Sequence, residues 1–126
     1  MVKLGYTITY VEDVEKALAF FEKAFGIARR FRTEENSYGE LETGGTTMAF
    51  ASHELGQSNL SAGYISISDS DKPLGTETAL VTENVQRAHE SAIKAGGTEL
   101  EAPKTKPWGQ TVSYVRCPSG TLIELC

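Results

Sequence analysis

Two stretches decide the fold: Tyr6–Gly26, YTITYVEDVEKALAFFEKAFG, and Glu77–Gly97, ETALVTENVQRAHESAIKAGG. Laid over each other at a constant shift of 71, they pair Glu12 with Glu83, Val14 with Val85, Ala17 with Ala88, Lys23 with Lys94, Ala24 with Ala95 and Gly26 with Gly97. Asp13 falls opposite Asn84. Both side chains can cap a helix by accepting from its orphan amide groups. The chain is therefore built from one part used twice, and an internal repeat constrains the fold more than any single motif.

Each copy opens on an apolar alternating run (Leu4 to Val11; Glu77 to Thr82), passes a cap, and enters a helix that ends at glycine. In the first helix Val14, Ala17, Leu18, Phe21, Ala24 and Phe25 keep the spacing of a stripe turned to a core. Gly26 and the Gly96–Gly97 pair supply left-handed caps. Strand-like runs follow at Ile27–Thr33, Tyr38–Glu42 and Thr46–Ala51, and again at Thr98–Ala102, Gln110–Arg116 and Leu122–Cys126. Gly44–Gly45 reads as a hairpin turn. Gly45–Thr46 answers to Gly120–Thr121 at a shift of 75, so the second copy carries four extra residues, placed in an Ala102–Gly109 loop with the only tryptophan, Trp108. The fold class expected is α+β, one domain over 1–126 made of two βαβββ modules, 1–52 and 76–126. A serine-rich linker, 53–75, joins them, with one strand-like stretch at Tyr64–Ser68. A unit of about 50 residues hides only one face of its sheet, so the modules are expected to pack together and enclose a ligand cleft.

Composition narrows the function. Twelve basic against seventeen acidic side chains give a net charge of −5, which disfavours nucleic acid and anionic membranes as partners. The one dense basic patch, Arg29, Arg30 and Arg32 around Phe31, reads as the wet face of a strand. No apolar run exceeds five residues and no signal-peptide core precedes Glu12 and Asp13, so cytoplasmic residence is expected. Cys117 and Cys126 make neither a zinc motif nor a disulfide framework. There is no nucleophile elbow, glycine-rich phosphate loop or Cys–His spacing. His53, just past the last strand of module one, reads as lying outside the cup, and His89, opposite Leu18 in the repeat, as packing on a helix face.

With the repeat in place, Tyr10-Val11-Glu12-Asp13-Val14 through Phe20-Phe21, Phe25-Gly26-Ile27, Pro107-Trp108-Gly109 and Pro118-Ser119-Gly120-Thr121-Leu122-Ile123-Glu124-Leu125 resemble the vicinal oxygen chelate superfamily. That superfamily holds glyoxalase I, extradiol dioxygenases and the fosfomycin and bleomycin resistance proteins, and the likeness spans both modules in order. It implies four metal-ligand positions, one near the start of each module's first strand and one on each last strand. These map to Tyr6 and Glu77, and to Ala49 and Glu124. Alanine cannot ligate, and tyrosine, with a pKa near 10, is a poor ligand for nickel, zinc or manganese. No metal site and no cofactor are therefore expected, with weak divalent-cation binding by Glu77 and Glu124 left open.

The resemblance is nearest the bleomycin-resistance-like branch. It implies a homodimer that sequesters a small, cationic or aromatic molecule without a metal. Tyr6, Tyr38, Phe50, Glu77, Trp108, Tyr114 and Glu124 are the candidate ligand-binding residues. The alternative is an enzyme, a glyoxalase-like lyase or isomerase or a dioxygenase with a degenerate metal site, in which Glu124 or Glu77 is the catalytic residue acting as general base. A third possibility is that Arg87, Lys106 or Arg116 pairs the glutamates and they are merely structural.

Overall fold

A computed structural model describes residues 1–126. Strand β1 (Tyr6–Val11) leads to helix α1 (Val14–Phe25) and strands β2 (Arg29–Arg32), β3 (Tyr38–Leu41) and β4 (Thr47–Ser52). A short helix α2 (His53–Asn59) follows. The second module then repeats the order with β5 (Glu77–Leu80), α3 (Val85–Lys94), β6 (Thr98–Thr105), β7 (Thr111–Arg116) and β8 (Leu122–Leu125). The strands form two four-stranded sheets, β1-β4-β3-β2 and β5-β8-β7-β6. In each, the first strand runs parallel to the last and the remaining pairs are antiparallel. The expected α+β architecture of two βαβββ modules is what forms.

The repeat's N-cap signals act as read. Asp13 accepts from the Lys16 amide at 3.2 Å, and Asn84 from the Arg87 amide at 3.0 Å. Gly26 closes α1 in the left-handed region at φ 67°, whereas α3 closes on Ala95 in the right-handed region, with Gly96 after it at φ 112° and Gly97 not at positive φ. Val14, Ala17, Leu18, Phe21 and Ala24 are all buried. They belong to one core cluster that also takes in Val85, Ala92, Val115, Ile123 and Leu125 of the second module, so a single core joins both halves behind the sheets.

Three expectations change. The linker opens on a helix that was not expected there: α2 occupies its first residues, capped by the Ser52 hydroxyl accepting from Leu55 N–H at 3.2 Å. Tyr64–Ser68 is not a strand. The four extra residues of module two lengthen a hairpin rather than open a loop at Ala102, since β6 continues to Thr105 and pairs with β7 as far as Thr105–Thr111. Pro103, which cannot donate to the ladder, falls where the β6–β7 register shifts between Glu101 and Lys104. No helix is long and apolar enough to cross a membrane.

Candidate functional site

Strand alternation sorts the candidate residues by face. Met48, Phe50 and Leu41 lie in the core, so their neighbours Ala49, Ala51 and Glu40 point the other way. By register, Tyr6, Ile8 and Tyr10 of β1 and Tyr38 of β3 share that open face. In the second sheet Ile123 and Leu125 lie in the core. The open face therefore carries Glu77 and Ala79 of β5, Leu122 and Glu124 of β8, and Tyr114 of β7. Tyr6, Ile8, Phe31 and Glu77 are exposed, and no strand of one sheet pairs with a strand of the other. The modules meet through their helix-side core, so within one chain the open faces do not close over each other as a cleft.

On the second sheet the two glutamates come together. Glu77 is held above its ordinary carboxyl value of 4.5, first because its carboxyl hydrogen-bonds that of Glu124, then through burial and the Glu124 charge. Tyr114 stands beside Glu124 in the β7–β8 register. Its hydroxyl pKa is raised by burial and by both carboxylates, as is that of the Cys126 thiol. No cation of the chain reaches the pair. Arg116 spends its guanidinium on the carbonyls of Gly120, Ile67, Ser70 and Asp71, and neither Arg87 nor Lys106 forms an ion pair. The structural pairing left open from the sequence is therefore not the arrangement found.

A raised native pKa means that the protonated pair stabilises the fold fully below the ordinary value of 4.5 and that this contribution is lost as pH rises through the native pKa of Glu77. Glu124→Gln removes the charge conflict. It is expected to raise the Tm near pH 7 and to flatten the Tm-against-pH curve between pH 4.5 and 7 relative to wild type. Parallel curves for the two proteins would show that the carboxyls do not interact.

The first sheet carries a separate group. Glu40, 7% exposed, accepts from the Tyr38 hydroxyl at 2.7 Å and from Arg30 at 3.0 Å. Arg30 also reaches Thr47 Oγ1 and clamps Glu42 through two nitrogens. Burial, then Glu40, pushes the Tyr38 pKa up, and the Phe31 ring lies 5.9 Å from that of Tyr38. The basic patch is thus not a wet strand face. A register shift between Arg29 and Phe31 splits it, Arg29 and Arg32 pairing with Glu15 and Glu22 of α1 while Arg30 pairs with Glu40 and Glu42. Glu40 was not singled out from sequence, although the spacing Tyr38-x-Glu40 places both residues on one strand face, and Arg30 was read only as part of the basic patch.

The remaining candidates separate. Phe50 is fully buried against Phe21, with ring centroids 5.4 Å apart, and is turned away from the open face. Trp108 is 73% exposed at the β6–β7 hairpin, its Nε1–H donating to Gln110. No hydrogen bond links Tyr6 to Glu77 or Glu124. No three histidine, cysteine, aspartate or glutamate side chains converge into a possible metal cage. Of the four positions the resemblance implies, Glu77 and Glu124 supply two carboxylates on one sheet, and Ala49 and Tyr6 lie together on the other. That donor set does not fit a catalytic metal, which takes three or more protein ligands.

Comparison with known proteins agrees with this architecture. No curated protein sequence matches the chain. A glyoxalase-related enzyme from Fulvimarina pelagi superposes with a TM-score of 0.83 at 20% identity, over 99% of this chain and 87% of its own. A glyoxalase/bleomycin resistance protein/dioxygenase family enzyme from Burkholderia phytofirmans PsJN gives 0.80 at 18%, over 98% and 97%. A superfamily member from Sphaerobacter thermophilus DSM 20745 gives 0.68 at 24%, over 99% and 96%. The family model that matches covers residues 3–125, nearly the whole chain. The chain belongs to the glyoxalase/bleomycin resistance protein/dioxygenase superfamily.

Proposed function

We propose that this protein binds a small cationic or aromatic molecule on its open sheet faces without requiring a metal, in the manner of the bleomycin-resistance-like branch. One observation carries the reading: Glu77 and Glu124 lie on the same face of the paired strands β5 and β8, and no arginine or lysine of the chain forms an ion pair with either. A bound cation would release the repulsion between them and receive charge-assisted hydrogen bonds. Tyr114 beside the pair offers a ring edge or face to the same ligand. The proposal includes a homodimer, because exposed Tyr6, Ile8 and Phe31 give the first sheet an apolar open face that a second copy can cover, completing the cleft. It also includes cytoplasmic residence, and small molecules rather than nucleic acid or membrane as partners, as a net charge of −5 favours.

Thermal shift tests this with bleomycin and benzyltrimethylammonium as probes. At a hundredfold excess over Kd a ligand stabilises by about 2.7 kcal/mol, several degrees for a domain of this size. The expected result is a concentration-dependent rise in wild type that Glu77→Gln and Glu124→Gln each abolish. An unchanged Tm with both probes, or a rise that survives both substitutions, would leave the reading without support.

The raised pKa of Glu77 favours a second reading, in which that carboxylate is a general base on a proton next to a carbonyl group, as in a glyoxalase-like isomerase or lyase. In that case Glu77→Gln would stop turnover of a 2-oxoaldehyde hemithioacetal while leaving the fold intact.

A further inference from the structure

A second constellation forms where α2 meets the segment after it. His53 Nδ1 lies 2.7 Å from the Tyr64 hydroxyl, and Nε2 lies 3.2 Å from Ser66 Oγ. The Tyr64 hydroxyl is placed to donate to the His53 carbonyl at 3.4 Å, which leaves its oxygen free to accept from Nδ1–H. In that tautomer the Nε2 lone pair faces the Ser66 hydroxyl, which also lies 3.0 Å from Ser68 Oγ; this is the arrangement of a base beside a hydroxyl nucleophile, with Tyr64 orienting the imidazole. Two features hold Tyr64. Its ring stacks on Tyr10 at 4.9 Å, and α2 approaches so closely at Gly56 that a Cβ there would stand 2.7 Å from the Tyr64 oxygen.

The group opens onto a cavity of about 360 Å³ lined by Glu12, His53, Gln57, Tyr64, Ser66 and Asp69, among others. The Gln57 carboxamide donates to nothing else in the chain, so it is available to a developing oxyanion. Glu12 and Asp69 have no ion pair, which favours cationic and neutral substrates over anionic ones. A second serine–histidine pair shows what a merely structural version looks like. Ser113 Oγ lies 2.9 Å from His89 Nδ1, and Ser113 is sealed in the core with no exposed surface for a substrate to reach.

We propose that this cavity is an acyl-transfer site for small, uncharged or cationic esters, with Ser66 as nucleophile and His53 as general base. Ser66 Oγ forms a bond to the ester carbonyl carbon as its proton passes to His53 Nε2. The carbon–oxygen bond to the alcohol breaks, and the alcohol leaves with that proton. Water, deprotonated in turn by His53, cleaves the acyl-serine to give the carboxylic acid and restore the hydroxyl. Tyr64 is a positioning residue.

The test uses diisopropyl fluorophosphate, which reacts with an activated serine by forming a P–O bond and losing fluoride. Intact and peptide mass spectrometry should show one adduct on Ser66. It should be absent in Ser66→Ala and form about a hundredfold more slowly in His53→Ala. Tyr64→Phe, which keeps the stack and removes the oxygen, should slow it several-fold, with near-ultraviolet circular dichroism confirming the fold of each variant. Phenyl acetate should be hydrolysed faster than monophenyl succinate, the anionic ester of the same phenol. No adduct in wild type, an adduct elsewhere than Ser66, or an unchanged rate in folded His53→Ala would overturn the proposal. Equal rates for the two esters would overturn its charge preference.

Discussion

Phe50→Ala is expected to cost about 3–5 kcal/mol of folding stability, a fall in Tm of roughly 10–20 °C. Phe50 is fully buried on β4, the strand between β1 and β3. Its ring meets Phe21, which packs in turn on Phe20 and Phe25. The position opposite it on β3 is Gly39, where a Cβ would stand 2.6 Å from Leu18 Cδ1, so the helix lies close on the sheet and the surroundings have little freedom to collapse into the vacated space. Urea unfolding measures the loss. Ligand affinity per folded molecule should be unchanged, because the ring points away from the open face. A variant that kept its stability and lost binding would return Phe50 to the site.

Phe50 also shows where the sequence is silent. Strand β4 reads Thr-Met-Ala-Phe-Ala-Ser and its first five residues, Thr47 included, are all buried, so no charged residue marks which parity faces the core. Strand β8 is different: Glu124 stands between buried Ile123 and Leu125, and its charge assigns the faces. The meeting of Glu77 with Glu124 was legible for the same reason, because the repeat placed both strands and each carries one carboxylate.

Caps and helices were legible because they are local, each fixed by a few residues at set spacing. Helix α2 was not. His-Glu-Leu-Gly-Gln-Ser-Asn has weak helix propensity and no apolar stripe, and it is held by the Ser52 cap and by the packing of Gly56 on Tyr10, which is a tertiary contact. With α2 unseen, His53 reads as a residue outside the cup, and the approach of Tyr64 and Ser66 from eleven and thirteen residues away leaves no trace in the sequence. The separation of Tyr6 from the glutamates has a similar cause. The repeat fixes each module but says nothing about which faces the two modules turn to each other.

His89→Ala is expected to cost about 3 kcal/mol, the sum of a cavity and a stranded polar group. His89 is 3% exposed on α3, where it bridges Ser113 Oγ at 2.9 Å and Glu99 at 2.7 Å. Truncation leaves the Ser113 hydroxyl buried without a partner, whereas the Glu99 side chain is 53% exposed and water takes over its hydrogen bond. His89→Leu alone should therefore remain destabilised, while His89→Leu with Ser113→Ala should recover most of the loss, because replacing both partners by apolar groups leaves nothing unsatisfied. A double-mutant cycle by urea unfolding measures that coupling, and strict additivity would show that the bond contributes nothing. The same truncation at His53 should behave oppositely, with a small effect on stability and a large one on the reactivity of Ser66. Each histidine has its own serine partner, Ser66 for His53 and Ser113 for His89, and the two pairs differ in solvent access, so the contrast between them separates a hydrogen bond that holds a helix to its sheet from one that activates a hydroxyl.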